Sequence, residues 1–167
     1  KALSFNENES YYHVALGDVY RAQNKLDKAA QKYDDAYETG TDNWFSSAKA
    51  GHAYTMFDLS EARKRFDQAV RDARSTDQRL GPEYAKIHTY LHEDDFQGAY
   101  SQLKKFKNKL DTYSLSVDKR RAELSSILWY EYFIKSHSGE HEEAKKALEE
   151  RKIIDLEIAK LSKNQRA

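Results

Sequence analysis

The chain has 167 residues, and its 28 Lys and Arg residues balance 28 Asp and Glu residues. The zero net charge excludes a strong overall attraction to nucleic acid or to anionic membranes. The 12 Tyr and 7 Phe residues supply enough aromatic surface for a core and exclude a disordered chain.

The chain contains no Cys, which excludes disulfide bonds and thiolate chemistry. This absence favours an extracytoplasmic bacterial location, although cytoplasmic proteins also lack Cys by chance. No apolar run approaches the roughly 18 residues that a membrane span needs. The chain begins at Lys1 rather than Met, and we therefore expect it to be a processed or excised part of a longer protein.

One Pro and six Gly in this length predict long helices joined by short turns. The spacing of apolar residues and the positions of helix-breaking residues predict eight helices, in residues 9–23, 26–39, 43–57, 59–77, 82–92, 95–113, 117–137 and 140–163. Turns within helix pairs are predicted at Asn24, Asp58, Asp94 and Gly139, and separations between pairs at residues 40–42 and at Gly81-Pro82. We expect Pro82 to be the first residue of its helix, where the missing N–H group costs nothing.

A motif recurs near the start of the chain. The first copy reads His13-x2-Leu16-Gly17-x2-Tyr20 and then Ala29-x3-Tyr33-x2-Ala36; the second reads Ser47-x2-Ala50-Gly51-x2-Tyr54 and then Ala62-x3-Phe66-x2-Ala69. The two glycines are 34 residues apart. We interpret Gly17 and Ala29 as small residues that let two antiparallel helices approach closely, with Tyr33 filling the space beside them. One such pair cannot bury its apolar face alone, so stacking of pairs is expected.

This pattern resembles the tetratricopeptide repeat (TPR), a 34-residue helix–turn–helix unit. The resemblance implies an all-α fold, an α-solenoid of antiparallel helix pairs with about eight helices that forms a right-handed superhelix and a single continuous array. Residues 9–77 hold two well-matched repeats. Residues 82–163 hold two degenerate, longer pairs, in which His88 and Phe133 replace the motif glycine. Because Ala2 lies 34 residues before Ala36, residues 1–8 are interpreted as the tail of a preceding repeat.

The resemblance implies a protein–protein interaction scaffold, with a peptide or partner protein bound in a concave groove lined by the first helix of each pair. The groove-facing residues implied by the motif are Tyr11, Val14, Asp18, Arg21, Phe45, Ala48, His52, Thr55, Ala85, Thr89, His92, Tyr130 and His137. Some members of the family hold the C-terminal carboxylate of chaperones on these helices. The acid at Asp18 would repel a carboxylate, so we reject that activity here.

The sequence contains no adequate motif for metal binding, nucleic-acid binding or catalysis. His88 and His92 have the i, i+4 spacing of metal ligands but lack a defined third ligand, so no metal or other cofactor is predicted. Lysines and arginines between 104 and 121, with Phe106 and Tyr113, could contact phosphates, yet interspersed acids argue against nucleic-acid binding. No phosphate-binding loop, nucleophile elbow or zinc-protease motif is present, so no enzymatic activity is expected.

The last predicted helix carries an apolar stripe whose final turns extend beyond its pair, which makes it a capping helix or a contact for another chain. The apolar run at 127–134 predicts a helix buried on several sides. An alternative function is therefore an assembly module that self-associates through the C-terminal helix, or a regulatory sensor attached to another domain.

Overall fold

The computed structural model describes residues 7–40 and 43–164. Within these ranges the chain forms eight α-helices and no strand, which confirms the predicted all-α class and helix number. The helices are α1 (Glu7–Ala22), α2 (Leu26–Thr39), α3 (Asn43–Tyr54), α4 (Leu59–Asp72), α5 (Thr76–Leu91), α6 (Phe96–Leu110), α7 (Val117–His137) and α8 (His141–Asn164). No helix in these ranges is long and apolar enough to cross a membrane.

Consecutive helices pack on one another, α1 on α2, α2 on α3, α3 on α4, α6 on α7 and α7 on α8. The chain divides into two compact units between Thr89 and Tyr90. The first unit contains α1 to α4 and most of α5; the second contains the end of α5 and α6 to α8. Residues 7 and 8 belong to α1. The rest of the proposed remnant of an earlier repeat, with Ala2, lies outside the described residues, as do residues 41 and 42 of the expected separator.

The turns within the first, third and fourth helix pairs share one backbone geometry. Asn24, Asp94 and Gly139 each have a positive φ, of 57°, 55° and 80°. In each turn the next N–H group bonds to a carbonyl five residues earlier, as from Lys25 to Tyr20. This arrangement satisfies the last carbonyls of the first helix. The predicted turn positions are therefore confirmed. In the remaining pair Asp58 is the N-cap of α4, and its side chain accepts a hydrogen bond from the Glu61 N–H group.

The predicted separation at Gly81-Pro82 is wrong. α4 ends at Asp72, α5 begins at Thr76, and Pro82 lies inside α5. The start of α5 is fixed by a capping box: the Ser75 hydroxyl accepts from the Gln78 N–H, and the Gln78 side chain accepts from the Ser75 N–H. This reciprocal pair supplies partners for two N–H groups that a helix start leaves open, so the helix begins well before Pro82.

Large aromatic rings lie directly over the motif glycines of the first unit. A Cβ atom added to Gly17 would stand 2.5 Å from Cε1 of Tyr33, and one added to Gly51 would stand 2.7 Å from Cε1 of Phe66. Both rings are fully buried. The expected close approach of helices is therefore confirmed, but each ring fills the position over its glycine rather than the space beside it.

Tyr54 connects two buried clusters, one around the Tyr33 ring and one around the Phe66 ring. Its ring packs against both the Tyr33 cluster and the Phe66 cluster, and its hydroxyl donates to Oδ2 of Asp34 at 2.9 Å. Arg65 bonds the same carboxylate oxygen at 3.1 Å. Burial and the Asp34 carboxylate raise the pKa of Tyr54 to about 12. The hydroxyl therefore stays protonated and keeps donating across the physiological pH range.

The degenerate pairs depart from the motif at its glycine position. Ile87 is fully buried and His88 is exposed, so the assignment of His88 to the position of the buried motif glycine is wrong. In α7 the residue at the glycine position, Phe133, is half-buried. Ile127 and Ile134 are buried, whereas Trp129 is 40% exposed, so the apolar run of α7 is buried on only part of its circumference.

We expect Gly17→Ala and Gly81→Ala to change stability in opposite directions. Alanine at 17 would place its methyl group inside contact distance of the Tyr33 ring, whereas one at 81 would meet nothing within 4 Å apart from its chain neighbours. Overpacking costs about 1–3 kcal/mol. The gain in helix propensity is about 1 kcal/mol at 17 and smaller at 81, because the Pro82 ring crowds a Cβ atom on the residue before it. Chemical denaturation should show Gly17→Ala destabilised and Gly81→Ala stabilised. Equal effects of the two substitutions would contradict the packing described.

Candidate functional site

A charged network connects α1 and α3 on the surface of the first unit. Nζ of Lys49 lies 2.6 Å from Oδ1 of Asp18, and the Tyr33 hydroxyl donates to the same oxygen at 2.7 Å. Partial burial opposes ionisation of Asp18, but the hydrogen bonds from Lys49 and Tyr33 outweigh it and lower its pKa. Asp18 is therefore a fixed, ionised anchor.

The position of this anchor follows from the core beneath it. The Tyr33 ring lies over Gly17, so its hydroxyl reaches the adjacent residue of α1, Asp18. Burial and the Asp18 carboxylate raise the pKa of Tyr33 well above its usual value. The buried ring of α2 thus holds a carboxylate of α1 in place at the surface.

Lys49 is held by aromatic rings as well as by Asp18. Its Nζ lies 5.0 Å from the centroid of the Phe45 ring and 5.5 Å from that of Tyr33. Both distances fit cation–π contact, and the Lys49 side chain is only 17% exposed. The ammonium group is thus oriented before any ligand binds.

Positive charge surrounds His52, one helical turn beyond Lys49. The His52 ring makes an edge contact with Phe66, with centroids 5.0 Å apart. Although the residue as a whole is exposed, withdrawal of its ring from water lowers the pKa of His52, and the nearby charges of Arg21, His88 and Lys49 lower it further. Arg21, His88 and Lys49 are thus the cationic groups near His52. We define the α1–α3 face as Asp18, Arg21, Phe45, Lys49 and His52.

Most groove residues implied by the motif in the first unit reach the surface. Tyr11 is 77% exposed and Phe45 is 40% exposed; Arg21 is also exposed, and Val14, Asp18 and Ala48 are half-buried. Thr55 is half-buried, and its hydroxyl donates to the Gly51 carbonyl of its own helix at 2.9 Å. The structure thus brings Asp18, Arg21, Phe45 and His52 together on the α1–α3 face.

Two implied groove residues of α5 lie inside the protein. Thr89 is fully buried; its hydroxyl donates to the Lys86 carbonyl at 2.7 Å and accepts from Nε of Arg63 at 2.9 Å. Ala85 is also buried. Ile87 is buried and His88 is exposed, so α5 is one residue out of the register that the motif assigned. Ala85 and Thr89 therefore pack toward the core, and neither presents surface to a ligand.

The repeat motif did not identify Lys49 as a residue of the α1–α3 face. The rejection of carboxylate binding treated Asp18 as an unbalanced acid, but the structure places a lysine against it. The signal was present, because Lys49 precedes His52 by three residues and so lies on the same side of α3. The pairing with Asp18 could not be read from the sequence, since the two residues are 31 positions apart.

The second unit carries a separate row of aromatic side chains along α7. Trp129 stacks on Phe133 with centroids 5.6 Å apart, and the ring centroid of Phe133 lies 4.2 Å from that of His137. The implied groove residue Tyr130 is half-buried and packs edge-on against Trp129 at 5.2 Å. A recess of about 250 Å³ next to this row is lined by Ser126, Trp129, Tyr130 and Arg151. His92 is exposed just after the end of α5.

Residues 7–40 and 43–164 provide little support for a metal-ion site or for phosphate binding. No group of three or more His, Asp or Glu residues in these ranges is arranged to hold a metal ion. Phe106 is fully buried and Tyr113 is 8% exposed, so neither interleaves with the basic side chains on the surface. Lys107 pairs with Glu131, and Arg120 pairs with Asp111.

Comparison with known proteins identifies the fold. No protein-family model and no curated protein matches the sequence. The structure is similar to the crystal structure of a variant described as a kinesin light chain from Podosopora anserina with nearly identical TPR-like repeats. The TM-score is 0.67 and the identity 17%, over 100% of this chain and 81% of that one. The likeness confirms the TPR-like helical repeat fold that the motif predicted.

We expect the Asp18–Lys49 pair to stabilise the first unit in a pH-dependent way. Because the pKa of Asp18 is lowered on folding, its contribution is complete above the unfolded value, about 4, and is lost as pH falls through the folded value. A double-mutant cycle of Asp18→Asn and Lys49→Met, followed by denaturation, should give a coupling of roughly 0.5–1 kcal/mol at neutral pH. A coupling that persists after Asp18 is protonated would contradict an ionic contact.

Proposed function

We propose that this chain is a non-enzymatic protein-interaction module whose α1–α3 face binds an extended peptide segment. The observation that carries the proposal is the preorganised network of Asp18, Lys49 and the Tyr33 hydroxyl, next to the exposed Phe45 ring. Exposed Tyr11 lies about two helical turns before Asp18 on α1. Fixed charges and rigid aromatic rings lose little entropy on binding, so such a surface favours association. The TPR-like fold is a general scaffold for this kind of contact.

The charges of the face favour a partner segment that carries carboxylates. Asp18 is balanced by Lys49, so Arg21 provides the excess positive charge of the face. An acidic side chain near Arg21 would gain Coulomb energy and would also stabilise protonated His52. The exposed rings of Tyr11 and Phe45 provide apolar contact for neighbouring residues of the same peptide.

Assembly is the alternative function, and a different surface supports it. Leu148, Ile153, Leu156 and Leu161 of α8 are exposed. None of these residues belongs to the α1–α3 face, so the two functions can be tested separately.

The peptide proposal can be tested with an array of short peptides that vary in acidic and aromatic content. We expect the chain to retain peptides that combine both features, and Arg21→Glu to reduce their affinity by roughly tenfold, because it removes an attraction and adds a repulsion. His52→Ala should have a smaller effect at neutral pH. Lys64→Glu is the matched control, since Lys64 is 70% exposed on α4, away from this face.

A bound acidic peptide should also raise the pKa of His52, which nuclear magnetic resonance can follow through the ring resonances. The folded protein lowers this pKa through burial and surrounding cations, and a nearby carboxylate opposes the cations. Retention of the same peptides by Arg21→Glu and by wild type, with an unmoved His52 pKa, would refute binding at the α1–α3 face.

A further inference from the structure

The register of α5 gives His88 the position that His52 occupies in α3. Gly51 and Ile87 are both buried, and the residue that follows each of them, His52 or His88, is exposed. Both histidines belong to the first compact unit. The surface that the α1–α3 face begins therefore continues onto α5 through a second imidazole.

Cationic groups converge on His52 from three helices. Withdrawal of its ring from water lowers the pKa of His52. Three charged neighbours lower this pKa further, in the order Arg21 of α1, His88 of α5 and Lys49 of α3. The contact from α4 is the uncharged Phe66 ring. The imidazole is therefore biased toward its neutral form in the free protein, and none of the carboxylates in the described part of the chain raises its pKa.

The other charged groups beside these two helices are engaged in contacts of their own. Asp18 of α1 accepts from Lys49 at 2.6 Å and from a tyrosine hydroxyl of α2 at 2.7 Å. Asp67 of α4 pairs with Lys86 of α5, and Arg63 of α4 bonds a threonine hydroxyl of α5 at 2.9 Å. An anion at the two imidazoles would thus meet acids that are already balanced.

A carboxylate is the ligand that suits the two imidazoles. A neutral imidazole offers one N–H donor, so the pair supplies two donors for the two oxygens of a carboxylate. A bound carboxylate also favours the protonated imidazole, whose charge-assisted hydrogen bonds are stronger. A metal cation fits less well, because Arg21 would repel it and no group of three or more His, Asp or Glu residues within 7–40 and 43–164 could hold it.

We propose that His52 and His88 form a two-histidine subsite that binds a second carboxylate of the acidic segment held near Arg21, with uptake of protons from solvent. The inference rests on the proposed peptide binding at the α1–α3 face. It adds a residue of α5 to that site and makes the affinity depend on pH.

The direction of the pH dependence follows from the two states of the site. In the free protein the pKa of His52 is held below its ordinary value of about 6.5, whereas a carboxylate beside the ring raises the pKa in the complex. The complex therefore takes up protons at a higher pH than the free protein does. Affinity should rise as the pH falls from about 8 to about 6, where peptide carboxylates with a pKa near 4 stay ionised.

Calorimetric titration at about pH 8 and about pH 6 tests this subsite, with an acidic peptide that the array retains and whose C-terminus is amidated. Wild type should bind roughly three- to tenfold more tightly at the lower pH, the change that a pKa rise of about one unit at one or both histidines produces. Titrations in two buffers of different ionisation enthalpy should show proton uptake. His52→Gln and His88→Gln should each reduce the pH dependence, and the double variant should lose it, because Gln keeps an N–H donor but does not titrate.

His141→Gln is the matched control, because His141 is an exposed histidine at the start of α8, and it should keep the wild-type pH dependence. Circular dichroism at both pH values checks that each variant is folded. Peptides in which each acid is replaced in turn by its amide should identify one side chain whose loss removes the pH dependence. A dependence that appears only with a free C-terminus would assign the subsite to the terminal carboxylate instead.

The outcomes separate this subsite from the proposed function. Binding that Arg21→Glu weakens, but that is equally tight at both pH values, would overturn the two-histidine subsite and leave peptide binding at the α1–α3 face intact. A pH dependence that persists in the double variant would overturn the subsite as well. Acidic peptides that bind at neither pH would refute both proposals.

Discussion

The contact of an aromatic ring with a glycine is the interaction on which the first unit depends. Tyr33 occupies the space over Gly17, and Phe66 occupies the space over Gly51. The rings bring each second helix against its first helix without any residue between them. Because a side chain at either glycine would collide with a fully buried ring, the motif tolerates little change there. Tyr54 then packs against the clusters around both rings and so unites the two repeats.

The same contact extends from the core to the surface. The Tyr33 ring is buried, whereas its hydroxyl bonds Asp18 at 2.7 Å, and Asp18 in turn holds Lys49 at 2.6 Å. A packing requirement of the fold thereby fixes the Asp18 and Lys49 charges of the α1–α3 face. The positions of these two charges follow from contact with a buried ring, which is why we regard this part of the face as preorganised for a ligand.

The sequence predicted those features that depend on local spacing. The 34-residue repeat of Gly17 and Gly51 and the turn residues Asn24 and Asp94 indicated the fold and most helix boundaries. The start of α5 was misplaced because Pro82 was taken as a helix start, whereas the capping box at Ser75 and Gln78 determined it.

The candidate site was only partly predictable, because its contacts join residues that are distant in sequence. The motif identified Asp18 and His52 as surface residues of first helices, but it could not show that Lys49 pairs with Asp18 across 31 residues. It also placed Thr89 in a groove, since the motif register aligned His88 with the motif glycine, whereas the buried residue at that position is Ile87. In the structure Thr89 is buried and bonded to Arg63.

Mapping of backbone amide shifts during titration with an acidic, aromatic-containing peptide tests the central claim most directly. If the α1–α3 face binds the peptide, the largest changes should occur around Asp18 and Arg21 in α1 and around Phe45, Lys49 and His52 in α3. Changes concentrated on α2 and α4, or no changes at peptide concentrations that saturate binding in solution, would contradict the account.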